Sequence, residues 1–365
     1  MNEPSRSLDV VFAPGSVAHP GTATELLNRA LDRRGLTAEL TFAANTTEFD
    51  TAVATAAERG EFIVSPGIEN TFAAPACGVI RVDFGDRAAD RSDHTRVHIR
   101  GRGLAGLRFA IDSWYHHRFH PGKIVQYGRH WDQRAELRVP DGEGPFPVAL
   151  LIHGGYWRPL WEFDLMDALA VDLTTRGYLT WNVEYRRGGD NAWAAMTSDV
   201  SDALQSLASV PEADTGRIAV LGHSAGGQLG LRAAADAVAD THPATVRPAL
   251  AVSLAGVLNL RLADERRLGR GAVSNALGCH WADDRTTYER SSPIDRLPLG
   301  IPQLVACGTE DEPDLLEISR EFATASARTT DHVRLIDKPG DHYSVIDPTS
   351  EIWRTIVDAI DASLE

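Results

Sequence analysis

Cysteine is scarce in this chain. Three residues in 365, Cys77, Cys279 and Cys307, are odd in number and far apart. That excludes a disulfide framework, and no C-x-x-C pair supplies zinc-ligand spacing, so all three are read as reduced and mostly buried thiols. An excess of positive charge is also missing. Lys and Arg total 36 against 51 Asp and Glu, a formal net charge of −15, which gives nucleic-acid phosphates or anionic lipid headgroups no reason to bind. No apolar run reaches the roughly 18 residues of a membrane-spanning helix. The opening MNEPSRSLDVVFAPG has no basic stretch leading into a long apolar one, so no standard secretory signal is expected and a cytoplasmic location is. Nucleotide-binding glycine loops and H-x-x-x-H pairs are lacking in suitable context, so neither cofactor nor metal is expected. What is present is a chain 43% hydrophobic and 24% charged, ordinary for a globular protein with a full core, at a length that favours two domains.

The first third alternates short apolar runs with helical spacing. Strands are expected at 8–12, 39–42, 62–65, 78–83 and 95–99, and helices at 24–34, 48–59 and 106–116. In the first helix Leu26, Leu27, Ala30 and Leu31 share a face, and Gly35 closes it. Such alternation implies a small parallel sheet with helices on both faces. Residues 117–125 read as a connector. A second α/β series follows, with strands at 135–139, 148–152, 179–183, 218–221, 249–254, 303–307 and 333–336. Several of these are continuous apolar runs, as in strands covered on both faces. The boundary is placed between domains of 1–118 and 119–365.

The strongest local signal is Gly222-His223-Ser224-Ala225-Gly226-Gly227, a G-x-S-x-G directly after the 218–221 strand and opening a helix. A sharp strand-to-helix turn strains the serine backbone, and glycines at both flanks relieve clashes there. The hydroxyl of Ser224 is thereby presented above the sheet, at a helix N-terminus that favours a developing anion.

The second signal is His153-Gly154-Gly155-Tyr156-Trp157, after the 148–152 strand. Its glycines allow backbone amides to turn inward. Gly155 and Tyr156, with the amide of Ala225, are the expected oxyanion donors, each such donor contributing about 3–4 kcal/mol to a tetrahedral intermediate; Gly154 permits the turn. His153 precedes Ser224 and is read as a structural histidine that fixes the loop.

A nucleophilic serine on such a turn needs an acid and then a histidine, in that chain order. Asp311, in Cys307-Gly308-Thr309-Glu310-Asp311, follows the 303–307 strand at the edge where α/β sites collect their residues. Glu310 is the runner-up, and Asp314 suffices to cap the next helix. His342, after the 333–336 strand, is the expected base; His332 lies at that strand's other end. His342 would take the Ser224 proton while Asp311 fixes its tautomer.

Residues from about 125 onward resemble the α/β-hydrolase family, specifically its kynurenine formamidase-like and small carboxylesterase branch. The resemblance is carried by Tyr127-Gly128, Asp132-Gln133-Arg134, HGGYW at 153–157, WNVEYR at 181–186, GHSAGG at 222–227, Ser292-Pro293-Ile294, GTEDEP at 308–313 and Asp341-His342-Tyr343. It implies Ser224, Asp311 and His342 as a triad acting through an acyl-enzyme on a small ester, with arylformamide hydrolysis as the close alternative. A ligand-binding or scaffold protein with a vestigial site is the reading from another class. Residues 257–296 are expected to form helices over the site, with Tyr156, Trp157, Trp161 and Trp193 as candidates to line an aromatic pocket.

Residues 8–116 resemble type II 3-dehydroquinate dehydratase, a small flavodoxin-like domain, through FAPG at 12–15, Asn45, IVSPG at 63–67 and RGRGLAGLRFAI at 100–111. That family's chemistry requires a tyrosine base with a nearby arginine and a histidine acid. No tyrosine precedes Tyr115, the 15–25 loop has no arginine, and 65–71 has no histidine. With no groups to move protons, this domain is expected to be inactive. Members of that family assemble, so the resemblance implies a homo-oligomer.

Overall fold

The computed structural model of the protein describes residues 5–67, 72–85, 94–187 and 192–364. Residues 1–4 of the opening segment and 68–71 of the loop read above for a histidine lie outside the described residues. Two compact units are present, one of residues 1–121 with 160–164, the other of 122–159 with 165–365. Among the described residues no helix is long and apolar enough to cross a membrane.

The first unit is built on five parallel strands, β1 Ser7–Phe12, β2 Thr37–Phe42, β3 Phe62–Ser65, β4 Val79–Asp83 and β5 Thr95–Arg100. Their order, β2-β1-β3-β4-β5, is the doubly wound flavodoxin-like order. Helices Pro20–Arg34, Thr46–Arg59 and Gly106–Phe119 flank the sheet. Pro20 starts the first of these four residues before the apolar spacing does, because proline's missing N–H costs nothing in a first helical turn. Asn45 caps the second by accepting from the Glu48 amide at 3.0 Å, and Glu48 reaches back to the Ala44 amide at 2.9 Å.

This unit buries charge. Asp83 accepts from Arg81 at 2.8 Å and lies 2.7 Å from His98. Arg102 forks onto both oxygens of Asp164 at 2.6 and 2.9 Å, donates to the Leu160 carbonyl, and lies 4.0 Å over the Trp161 ring. Trp161 also packs edge-on to Phe109 at 4.9 Å. Trp161 therefore groups with the first unit, although its chain position lies well past residue 119.

The second unit carries an eight-stranded sheet: β6 Lys123–Gln126, β7 Arg134–Arg138, β8 Phe146–Ile152, β9 Leu179–Val183, β10 Ala213–His223, β11 Leu250–Leu254, β12 Gln303–Gly308 and β13 Val333–Lys338. The order is β13-β12-β11-β10-β8-β9-β7-β6, parallel except where β7 meets β6 and β9. The segment read as a connector thus ends in a strand, because KIVQ is half polar and pairs only along its edge. Side chains of β8 alternate between two cores. Val148, Leu150 and Ile152 join Met196, Val200 and Leu229 on one face, while Ala149 and Leu151 join Leu169, Leu173, Trp353 and Ile356 on the other. Both faces being covered, the strands read as unbroken apolar runs.

Candidate active site

Ser224 sits between β10 and the helix Ala225–Ala239 with φ 54° and ψ −120°. A non-glycine residue held there costs on the order of 1–3 kcal/mol and persists only when its surroundings over-determine it. They do so here. The Ser224 amide donates to Leu254 O at 2.9 Å, and its carbonyl accepts from Gly227 at 2.9 Å and Val257 at 3.2 Å. Added Cβ atoms would lie 2.1 Å from Gly226 O at position 222 and 2.2 Å from Ile152 O at position 226. Both contacts are with backbone, so only glycine fits.

The loop after β8 runs against this elbow. A Cβ on Gly154 would come within 2.8 Å of the Ser224 Cβ and 2.9 Å of His223 O. Gly154 is therefore required for close approach, not for a left-handed φ. The left-handed positions are Gly155 at φ 118°, Tyr156 at 53° and Trp157 at 58°. Three residues in a row so placed splay the amides out of any regular ladder. The amides of Gly155, Tyr156 and Ala225 donate to no acceptor among the described residues.

His153 is fully buried and holds this loop from beneath. Its Nδ1 is 2.8 Å from the Gly154 carbonyl, which can only accept, so Nδ1 carries a proton; Nε2 lies 3.1 Å from Arg187 Nη1 and 3.4 Å from Glu184 Oε1. Its ring stacks on Tyr185 at 4.5 Å, and the Tyr185 hydroxyl donates to His153 O at 2.9 Å. Burial alone would raise the Glu184 carboxyl. The Arg187 guanidinium, paired with it, and neighbouring His153 outweigh that and hold it well below the usual carboxylate range.

Asp311 and His342 come from the loops after β12 and β13. Asp311 Oδ2 lies 2.9 Å from His342 Nδ1, with the carboxylate side chain 0% exposed and the imidazole 22%. The other Asp311 oxygen accepts from the Glu312 amide at 2.6 Å. The two loops nearly touch: a Cβ on Gly308 would lie 2.0 Å from Gly340 O, and Glu310 donates its amide to Gly340 O at 2.9 Å. The Glu310 side chain is exposed. His332 accepts through its carbonyl from Gln303, at the opposite end of β12. Asp341 folds the histidine loop by accepting from the Tyr343 and Ser344 amides at 3.0 and 2.9 Å.

The aromatic residues divide. Trp157 is 3% exposed, packs edge-on to Trp193 at 5.8 Å, and donates to Gln228 at 3.1 Å. Trp193 is partly buried and donates to Ser291 at 3.0 Å. Tyr156 packs its ring on Gly269, where a Cβ would lie 2.8 Å away, and directs its hydroxyl to Glu312 at 3.4 Å; Arg158 donates to Gly269 O. Burial and Glu312 raise the Tyr156 phenol. Gly269 belongs to the 257–296 region, which folds into helices Leu260–Glu265, Leu268–Leu277 and Arg285–Ser291. The left-handed turn at Gly269, Arg270 and Gly271 that meets Tyr156 had no signal in the sequence reading.

This geometry has parallels. A bacterial heroin esterase superposes with a TM-score of 0.54 at 23% identity, covering 64% of this chain and 80% of that one. Esterase B from Lactobacillus rhamnosis gives 0.56 at 17%, over 66% and 85%. Thermogutta terrifontis esterase 2, in a structure phosphoramylated by tabun, gives 0.53 at 18%, over 66% and 92%. The second unit has the α/β-hydrolase fold these enzymes share. No curated protein matches the chain. Residues 137–325, more than half of the sequence, match the BD-FAE family model, and the chain belongs to that family.

Proposed function

We propose that this protein is a serine hydrolase of carboxylic esters with small acyl or aryl groups, working through an acyl-enzyme. The observation that carries the reading is the Asp311–His342 hydrogen bond, made by loops at the same sheet edge where the strained turn holds Ser224. As the Ser224 Oγ attacks the ester carbonyl carbon, its proton passes to His342 Nε2. Asp311 keeps the His342 proton on Nδ1 and stabilises the imidazolium that forms. The free amides of Gly155, Tyr156 and Ala225 take the negative charge on the carbonyl oxygen. His342 then returns the proton to the leaving alcohol as the C–O bond breaks. Water, deprotonated by the same histidine, releases the acid and restores Ser224.

Formamide hydrolysis would use the same groups with an amine as leaving group. Short-chain p-nitrophenyl esters set against N-formylkynurenine, with Ser224→Ala as control, separate the two. Ester turnover lost in the variant is the expected result. Near-normal turnover by Ser224→Ala refutes the mechanism, and failure of an organophosphate to label Ser224 favours a binding or scaffold role. The first unit is read as non-catalytic, and release of dehydroshikimate from dehydroquinate by the full chain would contradict that.

A further inference from the structure

The residue before the nucleophile has a job that the catalytic scheme leaves unassigned. His223 is 2% exposed, and its Nε2 lies 3.0 Å from the backbone oxygen of His342, 119 residues away. The two imidazole centroids lie 4.7 Å apart with the rings tilted at 47°. On the other side, a Cβ on Gly154 would sit 3.0 Å from His223 Nδ1. One side chain therefore spans from the oxyanion loop to the histidine loop, while its own backbone continues into Ser224.

We propose that His223 is a positioning residue for His342, its Nε2–H donating to the His342 carbonyl and fixing that peptide relative to Ser224. The inference rests on His342 being the base. A carbonyl oxygen only accepts, so Nε2 must carry the proton. Nδ1 is buried and has no partner among the described residues, which suits a bare lone pair better than an unsatisfied N–H. The neutral ring this requires agrees with burial, which pushes the imidazole well below the usual histidine range. Asp311 holds Nδ1 of the His342 ring and Asp341 holds the amides that follow it. The His342 carbonyl is held by His223.

Two experiments test this. In the unmodified enzyme, long-range proton–nitrogen NMR should show His223 as the neutral Nε2–H tautomer; the Nδ1–H tautomer would overturn the proposal with no variant needed. Second, His223→Phe keeps the ring and removes the donor, whereas His223→Gln places an amide N–H near the Nε2 position. The phenylalanine variant should lose kcat by about 10- to 100-fold with KM changed by less than about twofold, the scale expected when a catalytic group is displaced by about an ångström. Glutamine should restore most of that loss, and the downfield proton of His342 Nδ1–H should be sharp in the wild type and the glutamine variant but broadened in the phenylalanine one. Wild-type kcat in His223→Phe, or no rescue by glutamine in a folded protein, overturns the proposal. Near-normal turnover by His342→Ala overturns the catalytic reading, and the proposal with it. Loss of turnover in His342→Ala beside an unimpaired His223→Phe overturns the proposal alone.

Discussion

Asp311 and His342, 31 residues apart, meet through a 2.9 Å hydrogen bond between a carboxylate with no exposed side-chain surface and an imidazole open to solvent on one side. The arrangement leaves Nδ1 occupied and Nε2 without a hydrogen-bond partner among the described residues. Asp311→Asn would keep the shape and present an amide that can stabilise the wrong tautomer. The expected result is a fall in kcat of about 10⁴ with little change in KM. Steady-state kinetics on a short-chain ester reads this directly, and a loss under tenfold would remove Asp311 from the scheme.

Gly154 tests the loop. A methyl at this position meets Ser224 Cβ at 2.8 Å and His223 O at 2.9 Å, so Gly154→Ala must push the 153–157 loop, proposed to hold the oxyanion, off the elbow. Losing alignment of one amide donor costs about 100-fold in kcat. Far-ultraviolet circular dichroism should be unchanged, which separates loop displacement from unfolding. Wild-type activity in this variant would mean the loop does not serve the oxyanion.

How much of this was legible beforehand follows from distance along the chain. The elbow could be read because its strand, turn, serine and helix are adjacent, and clashes between neighbours leave glycine as the mark. Glu310 and Asp311 share one sheet-edge position in the sequence, and it is Asp311 whose carboxylate meets His342, while the Glu310 side chain is exposed. A glycine pair in such a loop implies backbone freedom at both positions, yet the positive φ values fall on Gly155, Tyr156 and Trp157. Glycine at 154 answers to His223 O and Ser224 Cβ, far along the chain, which no local pattern records. The β6 strand escaped notice because four half-polar residues on an antiparallel edge have neither alternation nor an apolar run. That Trp161 groups with the first unit is equally invisible in the sequence. The Arg102–Asp164 pair that ties its segment to the first unit spans 62 residues and leaves no periodic trace.

That pair gives a third prediction. The Arg102 and Asp164 side chains are 3% and 1% exposed. Arg102→Ala leaves a buried carboxylate without its partner, which destabilises by about 3–5 kcal/mol. Urea unfolding followed by intrinsic fluorescence checks it, since Trp161 loses the guanidinium above its ring. An unchanged midpoint would show the pair to be energetically idle.

Acid should unfold the second unit partly through Glu184. Its folded-state carboxyl is depressed, so the unfolded chain, with glutamates titrating near about 4.3, takes up this proton first as the pH falls. The stabilisation is whole above that value and is lost progressively as the pH drops through it toward the folded-state pKa. Glu184→Gln removes the charge that balances buried Arg187 and should be less stable than the wild type at neutral pH, with the gap closing in acid. Urea midpoints measured from about pH 6 to about pH 3 would show the convergence; parallel curves would contradict it.

Ser224 as nucleophile and His342 as its base can be tested together. A fluorophosphonate reacted with the native enzyme, followed by peptide mass spectrometry, reads both at once. One adduct on Ser224 with loss of ester turnover is expected, and sharply slower labelling in His342→Ala. Labelling at another residue, or equally fast labelling of the His342→Ala variant, would contradict it.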